Sequence, residues 1–431
     1  MSNFEVDRMG WWVLFVWRRC CLRKPFTSKF TNSDSHREAA SPAATRASKR
    51  LPRALTRGTS PVHPMASIPN LNTLRTGRRG PRLRGGRGGS EAPGHGDGHG
   101  RDVEAGRDAI IQQTDQDASS SRISAVELGY LDDPFAKLLL IEGAQTPRRY
   151  PIINRGTYVR TKAIDRLVTC FLQANPDQPK QIVSLGAGSD TRFFRLAAEL
   201  PDDKQSLAYH ELDFEVNINQ KRTALREKAQ LADALKKAEK NGWKYHSHAL
   251  DLRHLTEKSP PPIPSFDTEL PTLLLSECCL CYLPPDAAGS VIQYFTMNVK
   301  ASLALILYEP IRPSDSFGRT MVRNLASRGV HMQTLGRFST PGAERQRLRL
   351  AGLKDGQGAR DVAQIYLDDA WVTAEERERI DKLEWLDEIE EWNLLAGHYC
   401  VAWGWRGGVF SEAWRDIDGS QTADESSSKW T

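Results

Sequence analysis

Apolar positions recur at helical spacing over residues 119–140 and 160–174, the second stretch placing Ile164, Leu167, Val168, Phe171 and Leu172 on one face. Beyond residue 180 the pattern changes. Short, nearly continuous apolar runs at 181–185, 207–213, 245–251, 272–277, 301–308 and 398–405 alternate with helical stretches at 191–200, 215–239 and 286–298. Runs this short read as strands buried on both faces, and strands separated by crossover helices build an open parallel sheet. The last run follows an acidic helical stretch at 375–395 and is predicted to close the sheet as an antiparallel edge strand. The fold class is α/β, a doubly wound sheet spanning residues 119–415.

Composition separates this body from its flanks. The chain has 431 residues and 39% hydrophobic content, below the usual globular share, so some segment should be unfolded. Residues 1–110 hold 20 Lys and Arg against 9 Asp and Glu, whereas the remainder holds 39 against 45. The basic excess therefore sits in front of a mildly acidic body, for which no nucleic-acid surface is expected. Residues 1–64 read as an unfolded basic extension. Residues 65–118 read as a disordered Arg/Gly-rich tail, with ten glycines between 77 and 100, and residues 416–431 as a polar tail. Arg-Gly-Gly repeats can touch RNA electrostatically, so an RNA-associated protein acting through that tail is one rival reading. No stretch of ~18–20 apolar residues offers a membrane span; the longest front-end run, Gly10 to Trp17, is far shorter and lacks the flanks of a signal peptide. Seven scattered cysteines form no disulfide framework and suit a reducing compartment, so a cytoplasmic location is expected.

Candidate chemistry collects at the predicted strand ends. The first strand runs into Gly186-Ala187-Gly188-Ser189-Asp190, and a glycine pair there lets backbone approach a ligand in the crevice beyond a doubly wound sheet. Asp213 ends the next strand, 25 residues past Gly188, where a carboxylate can accept both hydroxyls of a ribose; capping the following helix is its plainer role. Dinucleotide sites usually add a third glycine, and Thr191 stands there instead, which disfavours a pyrophosphate and hence a nicotinamide oxidoreductase. S-adenosylmethionine carries an adenosine without phosphate and needs further polar groups at later strand ends. Asp251 and Leu252 end the third strand, suited to an adenine edge. Glu277 follows Leu273, Leu274 and Leu275, where a carboxylate is costly to bury without a ligand or partner. Cys278, Cys279 and Cys281 lack the paired spacing of a zinc site and read mainly as small core residues.

These residues resemble a known family, the leucine carboxyl methyltransferases. The resemblance runs from Leu128 to Trp405 through Gly129-Tyr130, Asp133-Pro134-Phe135, PIINRGTYVR (151–160), IVSLGAGSDT (182–191), Glu211-Leu212-Asp213, Asp251-Leu252-Arg253, LPTLLLSECCLCY (270–282), Phe317-Gly318 with Met321, and His398-Tyr399-Cys400. It implies a class I S-adenosylmethionine-dependent methyltransferase, a Rossmann-like doubly wound sheet with helical lid additions. It further implies S-adenosyl-L-methionine as cofactor and transfer of its methyl to the C-terminal leucine carboxylate of the protein phosphatase 2A catalytic subunit, whose tail is the expected partner of a monomeric enzyme. By the same resemblance Arg160 grips the cofactor's carboxylate and Gly186 packs beneath it. Asp213 takes the ribose, Asp251 and Leu252 frame the adenine, and Glu277 lies near the amino group. Because an ionised terminal carboxylate needs no general base, no catalytic residue is assigned. Met65 opens a stretch resembling the start of fungal members, so residues 1–64 are expected to be dispensable, an upstream extension of the gene model being the simplest account.

Overall fold

The computed structural model describes residues 98–422 except 141–142, 145, 200–205, 388 and 418–419. The expectations for residues 1–64 and for the Arg/Gly-rich stretch up to residue 97 lie outside the described residues. Among the described residues eight strands form one sheet: β1 (Lys180–Leu185), β2 (Leu207–Asp213), β3 (Lys244–Ala249), β4 (Thr272–Glu277), β5 (Leu303–Pro310), β6 (Gly356–Asp361), β7 (Tyr399–Arg406) and β8 (Ser420–Thr422). Their spatial order is β3-β2-β1-β4-β5-β7-β6-β8. The first five run parallel, and β7 inserts antiparallel between β5 and β6.

The α-helices among the described residues are α1 (Gly98–Glu127), α2 (Pro151–Gln173), α3 (Arg192–Glu199), α4 (Glu215–Glu227), α5 (Ala229–Lys240), α6 (Pro285–Asn298), α7 (Ser316–Ala326), α8 (Pro341–Leu350), α9 (Val362–Leu367), α10 (Ala374–Asp381), α11 (Ile389–Ala396) and α12 (Gly408–Ala413). Strand side chains alternate faces, so each inner strand feeds two cores. Ile182, Leu273, Leu275 and Ile306 join Leu167 and Phe171 of α2 and Phe193 of α3. Val183, Leu274, Leu305 and Leu307 join Val291, Ile292 and Phe295 of α6. That two-sided burial is why these strands show unbroken apolar runs.

Several sequence expectations are corrected. β7 is an interior strand, because β6 lies beyond it. The sequence of β6, GQGARD, hides the strand: a side chain at Gly356 or Gly358 would collide with the rings of Trp405 and Trp403 that lie on its backbone. The stretch 215–239 is two helices, broken at Lys228 by extended backbone (φ −103, ψ 108). The acidic stretch 375–395 likewise divides into α10 and α11. Residues 119–140 are not one helix; α1 stops at Glu127, and Gly129 (φ +81) turns the chain so that Tyr130 N–H donates to the Ala125 carbonyl at 2.8 Å.

The largest correction concerns residues 98–118, expected to be disordered, which form the first two-thirds of α1. Ion pairs hold them, and Ile110 packs against Gly329. Arg253 pairs with Glu104 and Asp108 at 2.8 and 2.6 Å, while Arg149 and Arg328 pair with Asp117. At the other end Ile417 is buried and β8 pairs with β6, so residues of the expected tail from 416 contribute to the fold.

Candidate active site

A cavity of about 910 Å³ opens beyond the carboxyl ends of the parallel strands, where β1 lies between β2 and β4. Arg160, Gly186, Asp213, Asp251, Leu252 and Glu277 all line it. The sheet thus brings together six residues spread over more than a hundred positions, as ligand crevices in doubly wound folds require.

The floor is the turn after β1. Gly186 (φ +64) and Gly188 (φ +46) adopt left-handed backbone that L side chains resist. A Cβ on Gly186 would lie 2.5 Å from Cys279 Sγ, and one on Gly188 would collide with the Asp115 carboxylate. Asp213 ties this turn to β2: its carboxylate accepts from Gly188 N–H at 2.7 Å, Phe214 N–H at 2.6 Å and Asn217 Nδ2 at 2.9 Å. Asp115, from α1, accepts from both the N–H and the hydroxyl of Ser189 at 2.8 Å. Burial pushes both the Asp115 and Asp213 carboxyls above their ordinary 3.8, although their hydrogen bonds pull the other way. Asp251 lies just past β3 and caps the short turn Leu252–Thr256 by accepting from Arg253 N–H at 2.9 Å. Its plain capping role and its place in the cavity wall coexist.

Glu277 ends β4 between two guanidinium groups. Arg160 Nε donates to one carboxylate oxygen at 2.7 Å and Arg192 Nη2 to the other at 2.8 Å. Burial raises its pKa, but Arg192 and Arg160 outweigh that and hold the carboxyl below its ordinary 4.5. Arg160 also lies 4.6 Å over the Tyr308 ring, which stacks on Tyr399. Arg192 is only 2% exposed and further grips Asp190 at 2.7 Å and Asp165 at 2.9 Å. Sequence reasoning missed Arg192, Asp165 and Asp115. The first two look like ordinary polar helix positions, and Asp115 falls in the stretch read as unfolded.

The donor set fits a nucleoside joined to an amino-acid end. Asp213 and Asp251 offer acceptors near the glycine floor, and the Arg160–Glu277 pair offers one group for a carboxylate and one for an ammonium. Arg122 lines the same cavity, with a buried Nη2 that meets no hydrogen-bond partner, an unspent donor for an anionic group. A pyrophosphate fits less well: at the position of a third glycine, Thr191 is fully buried and its hydroxyl donates to Asp133 at 2.5 Å.

Comparison with known proteins adds a family. A family model described as leucine carboxyl methyltransferase matches residues 110–296. The relative named leucine carboxyl methyltransferase 1 from Aspergillus fumigatus is 48% identical, over 83% of this chain and 99% of its own length. Its namesake from Emericella nidulans is 49% identical, over 83% of this chain and 99% of its own. That from Schizosaccharomyces pombe is 39% identical, over 68% and 93%.

Proposed function

Because this chain belongs to the leucine carboxyl methyltransferase family, whose members are S-adenosylmethionine-dependent enzymes, we propose that it methylates the C-terminal leucine of the protein phosphatase 2A catalytic subunit. The observation that best supports the reading is the convergence of two strand-end carboxylates, a glycine floor and the Arg160–Glu277 pair on one cavity. In this reading Asp213 holds the ribose, Asp251 and Leu252 border the adenine, and Gly186 leaves room for the methionine portion. Arg160 pairs with the carboxylate and Glu277 with the amino group.

S-adenosylmethionine supplies a methyl on a sulfonium, ready for attack by an anionic oxygen. A terminal carboxyl titrates at about 3.3–3.7, so the acceptor is already ionised at neutral pH and asks no proton transfer of the protein. What remains is positioning and exclusion of water. The roof formed by α1 closes the cavity on one side, with Ile111 and Asp115 in its lining. Ile152, Trp392, Leu395 and Ala396 also line it and give the wall an apolar stretch suited to a leucine side chain. A carboxylate is a weak nucleophile, so a large docked partner serves better than a free peptide: remote contacts supply binding energy for alignment.

The test is transfer of labelled methyl to intact phosphatase catalytic subunit, to its isolated C-terminal peptide, and to a subunit lacking the last leucine. Fast labelling of the intact protein, slow labelling of the peptide and none of the truncated subunit is the expected result. Label on the leucine-deleted subunit would reject the assignment.

A further inference from the structure

A ribose asks for more acceptors than Asp213 has left. A carboxylate offers about four acceptor positions, and three of these are taken on Asp213, by Gly188 N–H, Phe214 N–H and Asn217 Nδ2. Phe214 and Asn217 both bond to Oδ1, so the position that remains is on Oδ2. A ribose edge brings a pair of hydroxyl protons, one more than that vacancy takes. A second carboxylate stands on the same glycine. Asp115 reaches in from α1 and lies directly over Gly188, where an added Cβ would collide with it. Asp213 thus holds the Gly188 amide while Asp115 covers the Gly188 Cα. Asp115 commits Oδ1 to the Ser189 N–H and hydroxyl, both at 2.8 Å. Its Oδ2 accepts no hydrogen bond among the described residues, and it is not sealed off from the cavity that Asp115 lines. Burial raises the Asp213 carboxyl, and the Asp115 charge adds to that rise. A hydroxyl proton donated beside the two carboxylates relieves their repulsion and fills an unmet acceptor.

We propose that Asp115 is a second ribose-binding carboxylate, accepting one hydroxyl on Oδ2 while Asp213 accepts the other. The assignment rests on reading the cavity as the S-adenosylmethionine site. Asp115 takes no part in methyl transfer. It fixes the ribose, and with it the sulfonium attached to the ribose C5′, which is a matter of alignment. Because Asp115 arrives on α1, the contact also ties that helix to the ligand. The front of α1 is otherwise held by Glu104 and Asp108 on Arg253 and by Asp117 on Arg149 and Arg328. Most of these partners are partly exposed, and exposed pairs contribute little each. A hydroxyl bonded to an ionised carboxylate inside the cavity is a stronger tie. Ligand binding and docking of α1 then favour one another by the same factor.

The test is a binding cycle with S-adenosylhomocysteine and its 2′-deoxy and 3′-deoxy analogues, measured by calorimetry on the full-length protein and on its Asp115→Asn variant. The substitution keeps one oxygen for Ser189 and puts an NH2, a donor, where Oδ2 met the hydroxyl. Wild type should lose affinity about tenfold with each deoxy analogue. Asp115→Asn should bind the parent ligand about tenfold more weakly than wild type does. It should then bind one deoxy analogue as well as the parent, while the other analogue still weakens binding as it does in wild type. Amide exchange over residues 98–118 should slow when wild type binds S-adenosylhomocysteine, and slow less in the variant. A mere loosening of the cavity floor would lower every affinity alike. Equal losses for both analogues in the two proteins, unchanged affinity of the variant, or equal slowing of exchange would therefore overturn the proposal. If wild type binds none of the three ligands, the reading of the cavity falls and this assignment with it. Binding by wild type without the hydroxyl-specific coupling removes Asp115 alone.

Discussion

Replacing Glu277 with alanine strikes a carboxylate held between two guanidinium groups, and the cost follows from those partners. Two charge-assisted hydrogen bonds are lost, at 2.7 Å from Arg160 and 2.8 Å from Arg192. Bonds of this kind contribute ~1.5–3 kcal/mol each, and stripping a partner from a buried charge costs about 3–5 kcal/mol. Two features soften the loss. Arg192 keeps Asp190 and Asp165, and Arg160 is 27% exposed, so water can reach it. A net destabilisation of about 2–4 kcal/mol is therefore expected at neutral pH. Glu277→Gln retains shape and one acceptor while its NH2 faces the other guanidinium, so about half that loss should result.

The pH dependence has a definite sign. The Glu277 carboxyl titrates below its ordinary 4.5 in the folded protein, so its stabilisation is present above 4.5 and is lost as pH falls through the lower folded value. Urea unfolding of the wild type, Glu277→Ala and Glu277→Gln at pH 7 and at several values below 4.5 should show a gap that narrows on acidification. Cofactor titration of the folded Glu277→Gln protein should show affinity lower by about tenfold. Equal stability of Glu277→Ala and wild type at pH 7, or a gap that widens in acid, would refute the reasoning.

Gly186→Ala should abolish detectable S-adenosylmethionine binding in a calorimetric titration, because the added methyl meets Cys279 Sγ at 2.5 Å on backbone of φ +64. The φ strain alone is ~1–2 kcal/mol, which thermal melting should register. Deleting residues 98–118 removes Asp108, Ile111 and Asp115 from the cavity wall. Stopped-flow measurement should find faster cofactor release, with the sheet intact by circular dichroism. Glu344 is buried beside Glu309 and Arg347, and burial, then the Glu309 charge, push its pKa up to about 8. A raised carboxyl weakens folding as pH climbs from 4.5 towards that value, so Glu344→Gln should gain stability over this range and level off above it in melts across pH 5–9.

The parallel core strands and their end residues were legible because two-sided burial writes itself as continuous apolar runs, and the Gly186–Asp213 pair followed from the same register. Elements held by other forces left little trace. The first two-thirds of α1 carries polar and charged residues and is fixed by Arg253, Arg149 and Arg328 from distant segments, which no local pattern announces. Strand β6 owes its place to glycines beneath two tryptophans, a requirement of the neighbouring strand rather than of its own sequence. Glu277 was legible as an anomaly, a carboxylate after three leucines, yet its second partner, Arg192, was not. Pairing between the end of β4 and the start of α3 exists only once the sheet has formed. Asp213 carried both a site role and a capping alternative in the sequence, and its bonds to Gly188 and Phe214 show that it also braces the turn. Asp213→Ala therefore perturbs structure as well as any ligand contact.

A crystal structure of the enzyme with S-adenosylhomocysteine, the product left after methyl transfer, tests the central claim most directly. The expected ligand places its ribose hydroxyls at the Asp213 carboxylate, its adenine beside Asp251 and Leu252, and its amino-acid end between Arg160 and Glu277 over Gly186. A ligand bound outside this cavity, or one lying in it with adenine and amino-acid ends exchanged, would contradict it.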